Sequence, residues 1–178
     1  TGEDTLSLHD ALPIYAANYK DYVLPVMFVK YLSDSYTDAV EELSKQYSGI
    51  RLERQKKYLP FMVAEGCSFY DLYQQRFADN IGQLMNAAMR QIEADNNQQL
   101  AGVLSAVDYN SENALGTREH KNAILRDLLE DFEPLDLRPS AIEVKEGQVP
   151  ADVIGDAYEY MIGQFASMAG KKAGSFYT

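Results

Sequence analysis

The chain has 178 residues, of which 46% are hydrophobic, and its formal net charge at pH 7 is −11. This length and apolar content suffice for one globular domain, whereas the acidity argues against a broad phosphate-binding surface, which needs clustered Lys and Arg. The sequence contains no run of 18 apolar residues and no signal-peptide pattern, and its single cysteine is Cys67. We therefore expect no membrane span and a reduced, cytoplasmic setting.

Residues 1–14 differ from the rest of the chain, because they show no clear hydrophobic period and no cap for a following helix. Their sequence resembles a translated sequencing adapter. We interpret them as a non-native leader and exclude them, with His9, from functional reasoning.

A long helix is predicted over residues 18–47, which Ser48 and Gly49 end. Pro25 falls in its early turns, where it either kinks the helix or marks the true first turn. The predicted apolar face consists of Val23, Val26, Met27, Leu32, Tyr36, Val40 and Leu43.

A loop with a short helical or extended piece is predicted over residues 50–70. Within it, Ser68 is suited to cap the turn that follows. A second clear helix is predicted over residues 78–94. Its apolar stripe is Ile81, Leu84, Met85, Ala88, Met89 and Ile92. The polar residues 95–99 predict a break, and residues 100–107 a short helix or turn.

A loop is predicted over residues 110–116, and Thr117 is a suitable N-cap for a helix over residues 118–132. That helix is expected to bury Ile124, Leu125, Leu128, Leu129 and Phe132. Pro150 suits the start of a last helix that ends near Gly170. The four periodic segments predict an all-α fold, an irregular helical bundle with at most one short β-hairpin near residues 141–149.

Residues suited to catalysis are sparse. His120 lies in the first turn of a polar helix, and we interpret it as solvent-exposed with no role, because a catalytic base needs a positioned partner. Cys67 is interpreted as a small buried hydrophobe. The residues alone therefore predict no catalytic residue and no metal site.

Charged runs are interpreted in the same way. The basic run of Arg51, Arg54, Lys56 and Lys57 favours a solvated face over a nucleic-acid contact. The row of Asp152, Asp156 and Glu159 favours a solvated face near a helix N-terminus over a cation site. Residues 170–175 fail the phosphate-loop pattern, because no Gly-Lys-Ser/Thr follows four intervening residues.

Three stretches of the chain are similar to parts of one protein family. Residues 19–34 (YKDYVLPVMFVKYLSD) and residues 122–132 (NAILRDLLEDF) with 135–137 are two of them. They resemble, in this order, the opening helix and a later helix of the N-terminal domain in the modification subunits of type I restriction-modification systems. The most specific stretch is residues 152–165 (DVIGDAYEYMIGQF), which runs into residues 174–178 (GSFYT). In this family that helix leads to a Phe-Tyr-Thr-Pro turn and then to the methyltransferase domain.

The resemblance implies that residues 15–170 are a helical N-terminal domain and residues 171–178 begin an incomplete methyltransferase domain. The family transfers a methyl group from S-adenosylmethionine to the exocyclic amine of adenine, which must be flipped out of the duplex. Its catalytic Asn-Pro-Pro-Phe/Tyr motif does not occur in these 178 residues, so we expect this chain alone to be inactive and to bind the cofactor weakly.

By the same resemblance, Ser175, Phe176, Tyr177 and Thr178 lie along S-adenosylmethionine in the intact enzyme. The implied partners are DNA, a specificity subunit and a second modification subunit, with or without a restriction subunit. A stand-alone helical interaction module with no part in methylation is the alternative. The codons that follow Thr178 distinguish the methyltransferase subunit from the stand-alone module. Only the methyltransferase subunit predicts a proline and a downstream Asn-Pro-Pro-Phe/Tyr.

Overall fold

Seven helices and no strand make up residues 16–141, the part of the chain that the computed structural model describes, with side chains from residue 21 onward. The helices are α1 (Ala16–Ser44), α2 (Gly49–Lys56), α3 (Phe69–Gln74), α4 (Ile81–Asp95), α5 (Asn97–Leu100), α6 (Glu112–Leu115) and α7 (Arg118–Phe132). This confirms the predicted all-α fold. The predicted hairpin and last helix lie outside the described residues.

Helix α1 packs against three other helices, α2, α3 and α7. Because it is covered on several sides, its buried residues do not form the single stripe that was predicted. Of that stripe only Val26 and Leu32 are fully buried, whereas Phe28 and Val29, which the prediction omitted, are 3% and 1% exposed. Pro25 lies inside the helix, so it does not mark the first turn.

The two 15-residue helices, α4 and α7, match their predictions closely. All five residues predicted to be buried on α7 are buried. Of the six residues in the predicted apolar stripe of α4, five are buried and Leu84 is half-buried. The hydroxyl of Thr117 accepts a hydrogen bond from the His120 amide, which confirms the predicted cap. The Ser68 hydroxyl accepts from the Asp71 amide and so caps α3, as predicted.

Two short helices were missed. Residues 95–99, predicted to be a break, contain most of α5, and the predicted loop at 110–116 contains α6. Each is only four residues long, too short to show a hydrophobic period. Buried Asn96 accounts for α5. Its side chain forms hydrogen bonds with both the amide and the carbonyl of Met62, each at 2.8 Å, and so holds this turn against another segment.

None of the helices in residues 16–141 is both long enough and apolar enough to cross a membrane.

Candidate functional site

A buried polar cluster lies where α1, α3 and the segment after α7 meet. Lys30 and Asp34 are 1% exposed each, although they are the only charged residues in the apolar middle of α1. The Lys30 Nζ donates to Asp34 Oδ2 at 2.6 Å, and the two residues are one helical turn apart. A buried ion pair of this kind is costly unless its remaining hydrogen-bonding capacity is also satisfied.

Tyr70 and Leu137 supply that further bonding. The Tyr70 hydroxyl donates to Asp34 Oδ1 at 2.5 Å and accepts from Lys30 Nζ at 3.0 Å. The Leu137 amide donates to Asp34 Oδ2 at 2.8 Å. The Asp34 carboxylate therefore joins three parts of the chain that are far apart in sequence.

The protonation states in the cluster follow from these contacts. Burial by itself lowers the pKa of Lys30, but the hydrogen bonds to Asp34 and Tyr70 outweigh burial and leave that pKa raised. Burial, followed by the hydrogen bond to Asp34, raises the pKa of Tyr70. Lys30 is therefore charged and Tyr70 neutral at pH 7. The ammonium also lies 5.5 Å from the Phe69 ring centroid, within cation–π range.

Ser33 fixes α3 beside this cluster. Its hydroxyl accepts from the Phe69 amide at 2.8 Å and donates to the Val29 carbonyl at 2.7 Å. The first amide of α3 is thus bonded by a residue of α1, which satisfies a donor that a helix N-terminus otherwise leaves open. This contact holds Tyr70 over the Lys30–Asp34 pair.

We call residues 133–141 the docked segment, because two carboxylates of α1 bind it. Asp34 accepts from the Leu137 amide, and one helical turn further on Asp38 accepts from Ser140, at 3.1 Å from the amide and 2.8 Å from the hydroxyl. Within the segment, the Arg138 guanidinium pairs with Asp136 and lowers the pKa of that carboxyl to about 2. The segment therefore runs along α1 in a defined register.

An open groove of about 490 Å³ lies between the docked segment and α1. Asp34, Thr37 and Tyr70 line one side of it, and residues 133–136 with Arg138 line the other. Both oxygens of the Asp34 carboxylate accept hydrogen bonds from within the protein. The arrangement is suited to holding a segment in place.

Comparison with protein-family models gives two matches. Residues 7–132 match the HsdM N-terminal domain. The chain belongs to this family. Residues 149–178 match part of the N-6 DNA Methylase family. The first match confirms the resemblance found in the sequence, so the described helices are the N-terminal domain of a type I restriction-modification methyltransferase subunit.

The docked segment follows the end of the HsdM N-terminal match at residue 132 and precedes the methylase match at residue 149. The docked segment thus lies between the helical domain and the methylase region in the order of the chain. The predicted boundary at residue 14 and the start of the second domain at residue 171 are not tested by these matches and stay predictions.

The residues predicted to bind S-adenosylmethionine, Ser175, Phe176, Tyr177 and Thr178, lie outside the described residues, as does the acidic row of Asp152, Asp156 and Glu159. Among the described residues, His120 is exposed, as predicted. Cys67 is half-buried and packs against the core, so the prediction of a buried residue was too strong. Burial, followed by nearby Asp95 and Asp71, raises the pKa of its thiol.

Sequence reasoning missed the cluster of Lys30, Asp34 and Tyr70. A signal was present, since two opposite charges four residues apart interrupt the apolar run that contains Val26 and Leu32. Their spacing predicts an ion pair on one helix face. The partners Tyr70 and Leu137, 36 and 103 residues away from Asp34, have no such signal.

Proposed function

We propose that this HsdM N-terminal domain serves subunit assembly and closure around DNA, in an enzyme that methylates adenine from S-adenosylmethionine. The docked segment supports this proposal most directly. It leaves the helical domain along α1, held by Asp34 and Asp38, and the methylase match begins eight residues after it ends. A linker held in one register gives the next domain a defined starting point, whereas a free linker leaves it mobile.

In the intact enzyme, Phe176 and Tyr177 cover S-adenosylmethionine and Thr178 offers a hydroxyl. The partners are DNA, a specificity subunit and a second modification subunit, with or without a restriction subunit. The catalytic motif is supplied by sequence beyond residue 178, where its Asn side chain and prolyl carbonyl hold the flipped adenine amine. The net charge of −11 fits this proposal, because tight DNA binding at physiological salt then depends on the assembled complex.

The first test is the DNA sequence that follows the codon for Thr178 in the source genome. The proposal expects a proline codon, then a strand with a glycine-rich turn, then Asn-Pro-Pro-Phe/Tyr. A stop codon at this point would favour the stand-alone interaction module.

The second test is cofactor binding. We expect calorimetric titration of the 178-residue chain to show an affinity for S-adenosylmethionine weaker than micromolar. In the extended protein, Phe176→Ala should weaken cofactor binding about three- to tenfold, the range of one aromatic contact, and leave the melting temperature of the helical domain unchanged. Phe77→Ala is the matched control, because Phe77 is 68% exposed in the helical domain. Loss of stability without loss of cofactor affinity would refute the assignment of Phe176.

A further inference from the structure

The outer side of α2 carries a group of exposed basic and apolar side chains. We call Ile50, Arg51, Arg54, Lys57 and Tyr58 the basic face. Arg54 is at its centre, because the other four lie three or four residues away from it, the spacing of neighbours on a helix surface. All five are exposed, with Ile50 at 75% and Tyr58 at 83%. The C-cap residue Lys57 keeps helical backbone angles, so the face continues past the end of α2.

The fold does not explain this face. Helix α2 has no buried residue. Among the residues that the structure describes, Arg51, Arg54 and Lys57 have no ion-pair partner, whereas the neighbouring Lys56 pairs with Glu53 at 2.7 Å. Arg54 and Lys57 lie at the C-terminal end of α2, where a cation interacts favourably with the helix dipole, whereas Arg51 lies in the first turn, where it does not. Exposed cations that bury nothing and have no ion-pair partner are suited to binding a partner of opposite charge.

We propose that the basic face contacts the phosphate backbone of duplex DNA; this rests on the proposed function, which supplies DNA as the partner. The three cations lie three residues apart, about 4.5 Å along the helix axis, so their long side chains extend from one face of the helix and can reach neighbouring phosphates. The Tyr58 hydroxyl adds a neutral donor of the kind that often bonds phosphate oxygens. Since the chain as a whole is strongly acidic, repulsion elsewhere confines the contact to this face.

The test measures binding of the 178-residue chain to a fluorescent 20-base-pair duplex by anisotropy, across a range of KCl concentrations. The wild-type chain should bind weakly at low salt and lose binding near physiological salt. The triple variant Arg51→Ala, Arg54→Ala, Lys57→Ala should raise the Kd by about tenfold or more at the lowest salt, and reduce the salt slope by up to about 2.7, the loss expected for three phosphate contacts.

The matched control is Lys45→Ala, Arg90→Ala, Arg118→Ala, which removes three positive charges from exposed positions elsewhere. It makes the same change in net charge and should leave the Kd nearly unchanged. Equal effects of the two triple variants would overturn the proposal, as would absence of wild-type binding at the lowest salt. Competition by poly-glutamate as strong as by DNA would also overturn it, because it would assign the face to an acidic protein. DNA binding through this face without any adenine methylation by the extended protein would refute the proposed function alone.

Discussion

At the scale of single residues, Asp34 connects the helical domain to the docked segment. Its carboxylate is buried and accepts hydrogen bonds from Lys30, Tyr70 and Leu137. Removing the carboxylate leaves the Lys30 ammonium buried without its counter-charge, and removing one partner of such a pair is much more costly than the pair's net contribution.

We therefore expect Asp34→Ala to lower the free energy of unfolding by about 3–5 kcal/mol, measured by urea denaturation at pH 7. The control is Asp38→Ala, one turn further along α1, where the hydrogen bonds to Ser140 are exposed and the expected loss is about 1 kcal/mol or less. Equal, small losses for both variants would mean that the Lys30–Asp34 pair does not stabilise the domain.

A second residue-scale prediction concerns alkaline pH. Burial, followed by the charge interaction with Tyr22, raises the pKa of Tyr109 well above 10, and its hydroxyl donates to the Tyr22 carbonyl at 2.7 Å. A group whose pKa is raised by folding contributes stability that is present below its unfolded pKa, about 10, and is lost as the pH rises through the folded pKa. The free energy of unfolding should therefore fall above about pH 10. One group with a raised pKa lowers it by at most about 1.4 kcal/mol for each pH unit.

Tyr109→Phe should remove the contribution of one titrating hydroxyl from the pH dependence of the free energy of unfolding. At pH 7 it should cost about 1 kcal/mol, the net worth of the lost hydrogen bond, and above pH 10 the decline of stability should become less steep. Urea denaturation at pH 7, 9, 10 and 11 measures both effects. An unchanged alkaline slope would show that folding does not raise the pKa of Tyr109 above its unfolded value. Lys30, Tyr70 and Tyr22 also have raised pKa values, so the variant should keep a residual dependence of the same sign.

At the scale of elements, the close approach of α4 to residues 109–110 depends on Gly82. A Cβ added at Gly82 would lie 2.4 Å from the Tyr109 carbonyl oxygen, which is backbone and cannot rotate away. Helix propensity favours Ala over Gly by about 1 kcal/mol, but the steric clash with fixed backbone opposes it.

We expect the clash to prevail, so that Gly82→Ala lowers the thermal midpoint although it improves helix propensity. Gln83→Ala, at the next and exposed position of α4, should change stability by less than about 0.5 kcal/mol. A rise in the midpoint of Gly82→Ala, measured by circular dichroism, would contradict the observed packing of α4 on this loop.

The helices differ in how well the sequence predicts them. Helix α7 was predicted to the residue because its N-cap Thr117 and its buried stripe agree, and because Pro134 follows shortly after its end. Helices α5 and α6 were missed because a single turn is decided by bonds to other segments, such as that between Asn96 and Met62. On α1, the apolar residues exceed one stripe, so periodicity alone could not select the buried face.

At the scale of the whole molecule, the fold class and the family could be predicted from the sequence, whereas the candidate site could not. The family rests on contiguous stretches such as residues 19–34, which a sequence displays directly. The site depends on Leu137 lying against Asp34, a contact across 103 residues that only the packing of the helices creates. The exposed positions of Arg51, Arg54 and Lys57 agree with the predicted solvated face, but their lack of ion-pair partners among the described residues emerged only from the structure.

We propose that this helical domain belongs to an enzyme that methylates adenine. The most direct measurement expresses the reading frame extended beyond Thr178 together with its specificity subunit, supplies S-adenosylmethionine and duplex DNA, and identifies the methylated nucleoside by mass spectrometry. We expect N6-methyladenine, formed only when the cofactor is present and abolished by replacing the Asn of the Asn-Pro-Pro-Phe/Tyr motif with Ala. Methylated cytosine alone, or no methylated base from a folded complex that binds the cofactor, would contradict it.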